Sequence, residues 1–293
     1  MKTKIYLLVF PILLAACNGN ENSSDAYGNF EAKEVIVSAE VQGKIIEFTA
    51  EEGQSLSKGQ NLGFIDTIQK SIQREQLWAQ KQAIASKKLN VSAQINVQEQ
   101  QKSLLETEKN RLDQLYKDNA ATKQQFDEIN GKYDILEKQI IATKTQISSI
   151  AREMEVVDKQ VKLVSEQIRR AKIINPINGT VLEKYLEENE IAIPGKALYK
   201  IARLDVIELR VYVSGAQLPE VKIGQKVKVY IDKDQELNQE YEGKVFWISD
   251  QAEFTPKIIQ TKEERVNMVY AVKIRVKNDG KIKIGMPGEV VFN

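Results

Sequence analysis

Chemistry in this chain must proceed without histidine, since the sequence has none, and its single cysteine is Cys17. That removes Ser-His-Asp and Cys-His catalysis and every histidine-ligated metal site. Cys17 has no partner for an internal disulfide. Carboxylates are the remaining option, with 41 Asp and Glu residues. Acid–base work needs a pair set apart in different environments. No such pair stands out, because most Asp and Glu fall on expected solvent faces. No Gly-rich loop of the kind that cradles phosphates occurs. The sequence therefore predicts no catalytic residue, no cofactor and no metal. Lys and Arg number 42, giving a net charge of +1. A near-neutral chain has no bulk attraction for nucleic acid or for an anionic membrane surface.

Cys17 lies at the end of a targeting segment. Lys2 and Lys4 make a short basic start, and residues 5–16 are almost all apolar, broken by Pro11. About twelve residues are too few to span a bilayer, which takes roughly 20. Residues 1–16 read as a signal peptide. Leu14-Ala15-Ala16-Cys17 resembles the lipobox of bacterial lipoproteins. The resemblance implies cleavage before Cys17 and lipidation of its thiol and amine. Several acyl chains hold a protein on a membrane where one gives marginal binding. The alternative is an ordinary signal peptide with a chance cysteine. Residues 17–30 read as the lipidated cysteine and a flexible polar tether. Asn18 lacks the aspartate that marks inner-membrane retention in enterobacteria, which leaves the membrane open at this point.

An internal repeat organises the folded body. Val41-Gln-Gly-Lys-Ile-Ile-Glu47 aligns with Ile177-Asn-Gly-Thr-Val-Leu-Glu183, 136 positions later (177 − 41). The alignment continues without a gap. Gly59 meets Gly195, Leu62 meets Leu198, Ile65 meets Ile201, and Glu51-Glu52 meets Glu187-Glu188. Gly53 meets Asn189, and both types tolerate positive φ in a tight turn. Short alternating runs between such turns predict strands. Two four-strand halves, each too small alone, should pack as one β-sandwich. Residues 31–67 and 173–203 resemble the two halves of a lipoyl/biotinyl domain. In carrier members a modified lysine sits on the hairpin joining the halves. Here residues 68–172 replace that hairpin, which argues against a carrier role.

The insertion reads as two long helices. Phe126, Ile129, Tyr133, Leu136, Ile140, Ile147, Ile150, Met154, Val157, Val161, Val164 and Ile168 recur at steps of three and four, interrupted at Thr143. The first arm is weaker. Leu77, Ile84, Val91, Leu105 and Leu112 share one heptad column, with Gln98 its polar member. No proline occurs over residues 66–175, and Gly131 is the sole glycine there. The break falls over residues 117–122, with Thr122 placed to cap the second helix and Gln125 in the capping-box position. Two arms of about 50 residues and ~75 Å make an antiparallel coiled-coil hairpin. Residues 204–293 read as a small β-barrel, with strands at 207–213, 226–231, 243–249, 269–276 and 289–292 and a short helix at 214–221.

The predicted fold is α+β and multidomain: a long helical hairpin inserted in a split lipoyl-like β-sandwich, then a β-barrel. Three motifs then carry a resemblance. At the break, Arg111, Leu115 and Thr122 have the spacing R-x-x-x-L-x(6)-[ST], followed by Asp127. This resembles the hairpin tip of TolC-dependent adaptors, with Thr in place of Ser. Glu253-Phe-Thr-Pro256 with Gln260-Thr-Lys-Glu-Glu-Arg265, and Lys283-Ile-Gly-Met-Pro-Gly288, resemble segments of HlyD-type secretion adaptors. The chain is identified as a member of the HlyD-type periplasmic adaptor, or membrane fusion protein, family. The resemblance implies a non-enzymatic bridge between an inner-membrane transporter and a TolC-type outer-membrane channel, met at Arg111, Leu115 and Thr122. It implies about six copies in a ring, a periplasmic place, and an anchor at Cys17, with the inner membrane favoured. Little sequence follows Phe292, so the membrane-proximal domain of larger drug-efflux adaptors is expected to be absent or rudimentary. That favours an ABC-type transporter. An RND or MFS pump, or a structural coiled-coil envelope lipoprotein, is the alternative.

Overall fold

The structure is a computed structural model and describes residues 24–232, 238–254 and 268–292. Cys17 lies outside the described residues, as do residues 255–267, which hold most of the motif from Glu253 to Arg265. The elements run β1 (Ala26–Glu31), β2 (Glu34–Ser38), β3 (Gly43–Phe48), β4 (Ser55–Leu56) and β5 (Asn61–Ile65). Two helices follow, α1 (Ile68–Lys117) and α2 (Lys123–Arg170). Then come β6 (Lys172–Ile174), β7 (Gly179–Lys184), β8 (Ile191–Ala192), β9 (Ala197–Ala202) and β10 (Val206–Ser214). The chain ends with β11 (Lys226–Asp232), β12 (Asn238–Ile248), β13 (Glu253–Phe254), β14 (Met268–Lys277) and β15 (Pro287–Phe292). They divide into two compact units, Val35–Ala202 and the segments flanking it.

The repeat is a structural two-fold. The two sheets of the sandwich are β2-β9-β7-β4 and β6-β5-β3-β8. Shifting β3, β4 and β5 by the repeat offset lands on β7, β8 and β9. Each sheet therefore takes strands from both halves, and neither half forms a sheet alone. Equivalent positions fill one core: Ile45 and Val181, Ala50 and Leu186, Leu62 and Leu198, Ile65 and Ile201 are all buried. Each large aliphatic side chain buried there contributes ~1.5–3 kcal/mol relative to exposure. The hydrogen bonds repeat as well. Gly53 N–H donates to Val181 O at 2.9 Å, and Asn189 N–H to Ile45 O at 2.9 Å. Both donors hold positive φ, 81° and 71°. Phe48 N–H donates to the Glu188 carboxylate at 3.0 Å, and Lys184 N–H to that of Glu52 at 3.0 Å. The repeated glutamates thus tie each half to the end of a strand in the other.

One pair breaks the symmetry. Tyr199 is fully buried, whereas Gly63, its equivalent, adopts φ 147°. The Tyr199 hydroxyl donates to Asn175 Oδ1 at 3.0 Å. The Asn175 amide in turn donates to Ser57 O at 2.9 Å and Ile177 O at 2.6 Å. Tyr199→Phe strips one acceptor of its donor inside the core. It should destabilise the sandwich by ~1–3 kcal/mol in urea titrations, without changing the folded spectrum. A midpoint shift within error would show that this hydrogen bond has no net worth.

The hairpin lies between β5 and β6. α1 has 50 residues and α2 has 48. Each is long enough for roughly 75 Å. Lys81 pairs with Asp158 at 2.6 Å, Lys87 with Glu153 at 3.7 Å and Lys102 with Glu137 at 2.8 Å. These pairs set an antiparallel register. Ile84, Ile150 and Val157 are buried together, with Leu77, Val91, Met154 and Val161 against them. No helix among the described residues is long and apolar enough to cross a membrane.

The second unit is a seven-stranded sheet in the order β10-β1-β15-β11-β12-β14-β13, closed by β10 pairing with β14. Its core holds Phe30, Ile207, Leu209, Val229, Val245, Ile274 and Val290. Two expectations are corrected in this unit. The sequence predicts a tether throughout residues 17–30, but Ala26–Glu31 is a strand between β10 and β15. Its inward positions are Ala26, Gly28 and Phe30. Gly28 packs so tightly that an added Cβ would overlap the Arg210 carbonyl oxygen. A glycine facing the core erases the apolar alternation that would have marked the strand. The expected helix at 214–221 is one 3-10 turn, Leu218–Glu220, with Pro219 inside it. The Lys283–Gly288 motif leads into β15 and extends its contact with β1: Gly285 N–H donates to Phe30 O at 2.8 Å, and Phe30 N–H to Met286 O at 2.9 Å.

Candidate docking site at the hairpin tip

The tip is built by a turn and two caps. α1 ends at Lys117, whose ammonium pairs with Asp113 at 2.6 Å. Asn119 turns the chain with φ 59°. Asparagine tolerates this left-handed conformation. Ala120 N–H reaches back to Leu115 O at 2.8 Å. α2 starts from a full capping box: Gln125 N–H donates to Thr122 Oγ1 at 3.2 Å, and Thr122 N–H donates to Gln125 Oε1 at 2.9 Å. Tyr116 and Phe126 stack across the two arms, with ring centroids 4.9 Å apart and planes 16° from parallel. This stack closes the seam just below the turn.

Arg111 and Leu115 stand one helical turn apart, so they share a face of α1. The Arg111 side chain is 72% exposed and, among the described residues, makes a single ion pair, to Glu108 of its own helix at 3.3 Å. Leu115 is 38% exposed, a large apolar side chain in water beside that cation. Arginine is over-represented among the energetic hot spots of protein contacts, whereas leucine is not. Thr122 is exposed at the turn, but its hydroxyl also donates to Gln125 Oε1 at 3.1 Å. The structure brings Thr122 to the tip with Arg111 and Leu115, and occupies its hydroxyl in the cap. Asp127 is exposed on the first turns of α2.

Elsewhere the described residues hold no cluster of three or more acidic or thiol side chains placed to bind a metal ion. A cleft at the hairpin base is lined by Glu40, Lys44, Asp66, Lys70, Glu166 and Arg170 among others. Hydrogen bonding from Arg169 lowers the Glu166 carboxyl to about 2, so it stays anionic there. Arg170 pairs there with Glu40 at 3.7 Å and Glu166 at 3.5 Å, and Val41, Leu163 and Pro194 share the lining. The strand-end glutamates Glu52 and Glu188 escape a reading of the sequence for function. Their signal is present there as a repeated Glu-Glu pair.

A split barrel-sandwich that carries a long helical hairpin is the architecture that the site stands on. Residues 33–203 match the family model described as the RND MFP barrel-sandwich hybrid domain, more than half of the chain. The chain belongs to the HlyD-type membrane fusion protein family, whose members are non-enzymatic components of efflux systems. The UPF0194 membrane protein YbhG of Salmonella arizonae is 31% identical over 122 residues, 41% of this chain. The matched stretch spans 36% of that relative's length. Among solved structures, MacA from Actinobacillus actinomycetemcomitans aligns with a TM-score of 0.62 at 22% identity, over 90% of this chain and 76% of that one. The membrane fusion protein Spr0693 from Streptococcus pneumoniae R6 aligns with a TM-score of 0.55 at 15% identity, over 91% and 97%. Both likenesses show the fold.

Proposed function

We propose that the chain is a lipid-anchored periplasmic adaptor that bridges an inner-membrane transporter and a TolC-type outer-membrane channel. The observation that carries this reading is the exposed Arg111 and Leu115 pair at the end of a hairpin whose base is held by the reunited repeat. In this reading Arg111 and Leu115 meet the channel, with Thr122 beside them. The barrel seats on the transporter. About six copies ring the transport path. Energy comes from the transporter, for which an ABC type is favoured. The description of the matching family names RND systems, which supports an RND transporter as the second reading.

Photo-crosslinking in cells tests the bridge. A photo-reactive residue at Leu115 should capture an outer-membrane channel protein, and one at Trp247, on the barrel surface, an inner-membrane permease. The permease's own sequence then decides between ABC and RND. Capture of only this chain at both positions would sink the bridging role and favour a structural coiled-coil lipoprotein.

The anchor is proposed at Cys17, on the inner membrane. Cys17→Ala should abolish palmitate labelling and leave an uncleaved or soluble form in fractionation. Undiminished labelling of that variant would place the lipid elsewhere.

A further inference from the structure

The two interruptions of the hairpin's apolar seam are one feature. The ion pairs Lys81–Asp158 and Lys102–Glu137 and the Tyr116–Phe126 stack hold one register along the whole hairpin. That register sets Gln98 of α1 level with Thr143 of α2. Thr143 is buried, at 5% exposure, and its hydroxyl donates to its own helix at Gln139 O, 2.9 Å away. A back-bonded threonine inside a helix loosens and often bends it. Gln98 Oε1 is buried and has no hydrogen-bond partner among the described residues. A buried acceptor left unpaired weakens the layer that contains it.

The halves on either side of this layer are made differently. Toward the base the seam is aliphatic, with Ile84, Ile150 and Val157 buried and Leu77, Val91, Met154 and Val161 packed on them. Toward the tip α1 contributes no fully buried side chain, because its buried residues are Ile84 and Ile95. α2 keeps Ile129 and Ile140 buried in this half, without a buried partner on α1. Lysines stand at the α1 seam in both halves, Lys81 at the base and Lys102 and Lys109 toward the tip. The Lys102 and Lys109 ammonium groups lie 5.0 and 4.4 Å from the Tyr133 ring centroid, and Lys102 pairs with Glu137. Such contacts are half-exposed and weakened by solvent and salt. α2 also carries Gly131 in this half, and glycine is a poor residue for a helix interior.

We infer that the Gln98–Thr143 layer is a built-in joint, dividing the hairpin into a stiff base and a distal segment, residues 99–142, that opens as a separate unit. Segments with few buried apolar contacts open locally at lower free energy than packed ones. A joint placed there lets the tip change its approach angle while the base keeps its register. The joint belongs to the hairpin itself, whichever partner the tip meets.

Hydrogen exchange followed by mass spectrometry on the mature full chain tests it. Amides of residues 101–117 and 123–140 should exchange at least about tenfold faster than those of 77–95 and 147–164, and together as a block. The double variant Gln98→Leu, Thr143→Val makes the layer apolar and should slow the distal block by about tenfold or more. It should leave the base unchanged. Uniform exchange along both arms of the wild-type hairpin would overturn the joint on its own, whether or not the variant folds. A distal block unmoved by the double variant would assign its mobility to the lysine-rich seam and refute the layer's role.

Discussion

Gly63→Ala should unfold the sandwich or lower its stability by more than ~4 kcal/mol, an effect reserved for a short list of structural causes. Gly63 holds φ 147°, and an ideal Cβ there would overlap Glu47 O and stand 2.5 Å from its carbonyl carbon. The obstacle is backbone, and it cannot swing aside as a side chain would. β3 and β5 pair at this point, Phe48 with Gly63, so moving Glu47 breaks the ladder. Domains of this kind hold only ~5–15 kcal/mol in total. The repeat alone suggests the opposite, since Tyr199 fills the equivalent place. Gly53→Asn is the control. Asn189 occupies that equivalent place at φ 71°, close to the 81° of Gly53, and nothing lies within 4 Å of an added Cβ at Gly53. Gly53→Asn should change stability by no more than ~0.5 kcal/mol. Circular dichroism with urea titration reads both. A Gly63→Ala variant as stable as the parent would mean that β3 and β5 do not meet in this register.

These two glycines mark what the sequence could and could not convey. The repeat was legible because turn residues and inward aliphatics both recur at one spacing: Gly59 with Gly195, Ile65 with Ile201. The interleaving of strands was not, since strand pairing joins residues far apart and leaves no local mark. Ile45 reads the same whether its strand pairs within its half or across. β1 escaped notice because Gly28 occupies a core-facing place. The α2 seam was plain from its steps of three and four. That of α1 looked weak because lysines such as Lys81 and Lys102 stand in or beside it. The structure accounts for them by carrying each ammonium to an acid on α2, Asp158 and Glu137. Their stems stay at the seam, as long amphipathic side chains do. At the tip, the capping box of Thr122 and Gln125 was readable from types and spacing. The exposure of Arg111 was readable only from its place off the seam.

Arg111→Asp should abolish export while leaving the hairpin intact. Arg111 is largely exposed, and its ion pair to Glu108 spans a single helical turn at 3.3 Å. Exposed pairs of that kind are worth ~0.2–1 kcal/mol. Reversing the charge places a second carboxylate beside Glu108, with a repulsion of similar small size. Thermal melts of the variant should therefore lie within a few degrees of the parent. Docking is another matter. A cation at the centre of a protein contact, matched to acceptors on the partner, costs about 2–5 kcal/mol or more when truncated, and a reversed charge adds repulsion. At ~1.4 kcal/mol per tenfold, the loss in affinity reaches about thirtyfold to several thousandfold. Leu115→Ala removes apolar contact without altering charge and should weaken capture of the channel to a lesser degree. The readouts are substrate retention in cells carrying each variant, with membrane levels of the protein measured alongside. If Arg111→Asp exported normally at normal levels, the proposed docking of the tip on a channel would be refuted. If export failed and the melt also collapsed, the loss would belong to folding. Arg111→Lys then separates the two, since it keeps the charge and loses the planar, forked geometry by which arginine engages acceptors in pairs. Partial export by Arg111→Lys with an unchanged melt would assign the remainder to that geometry.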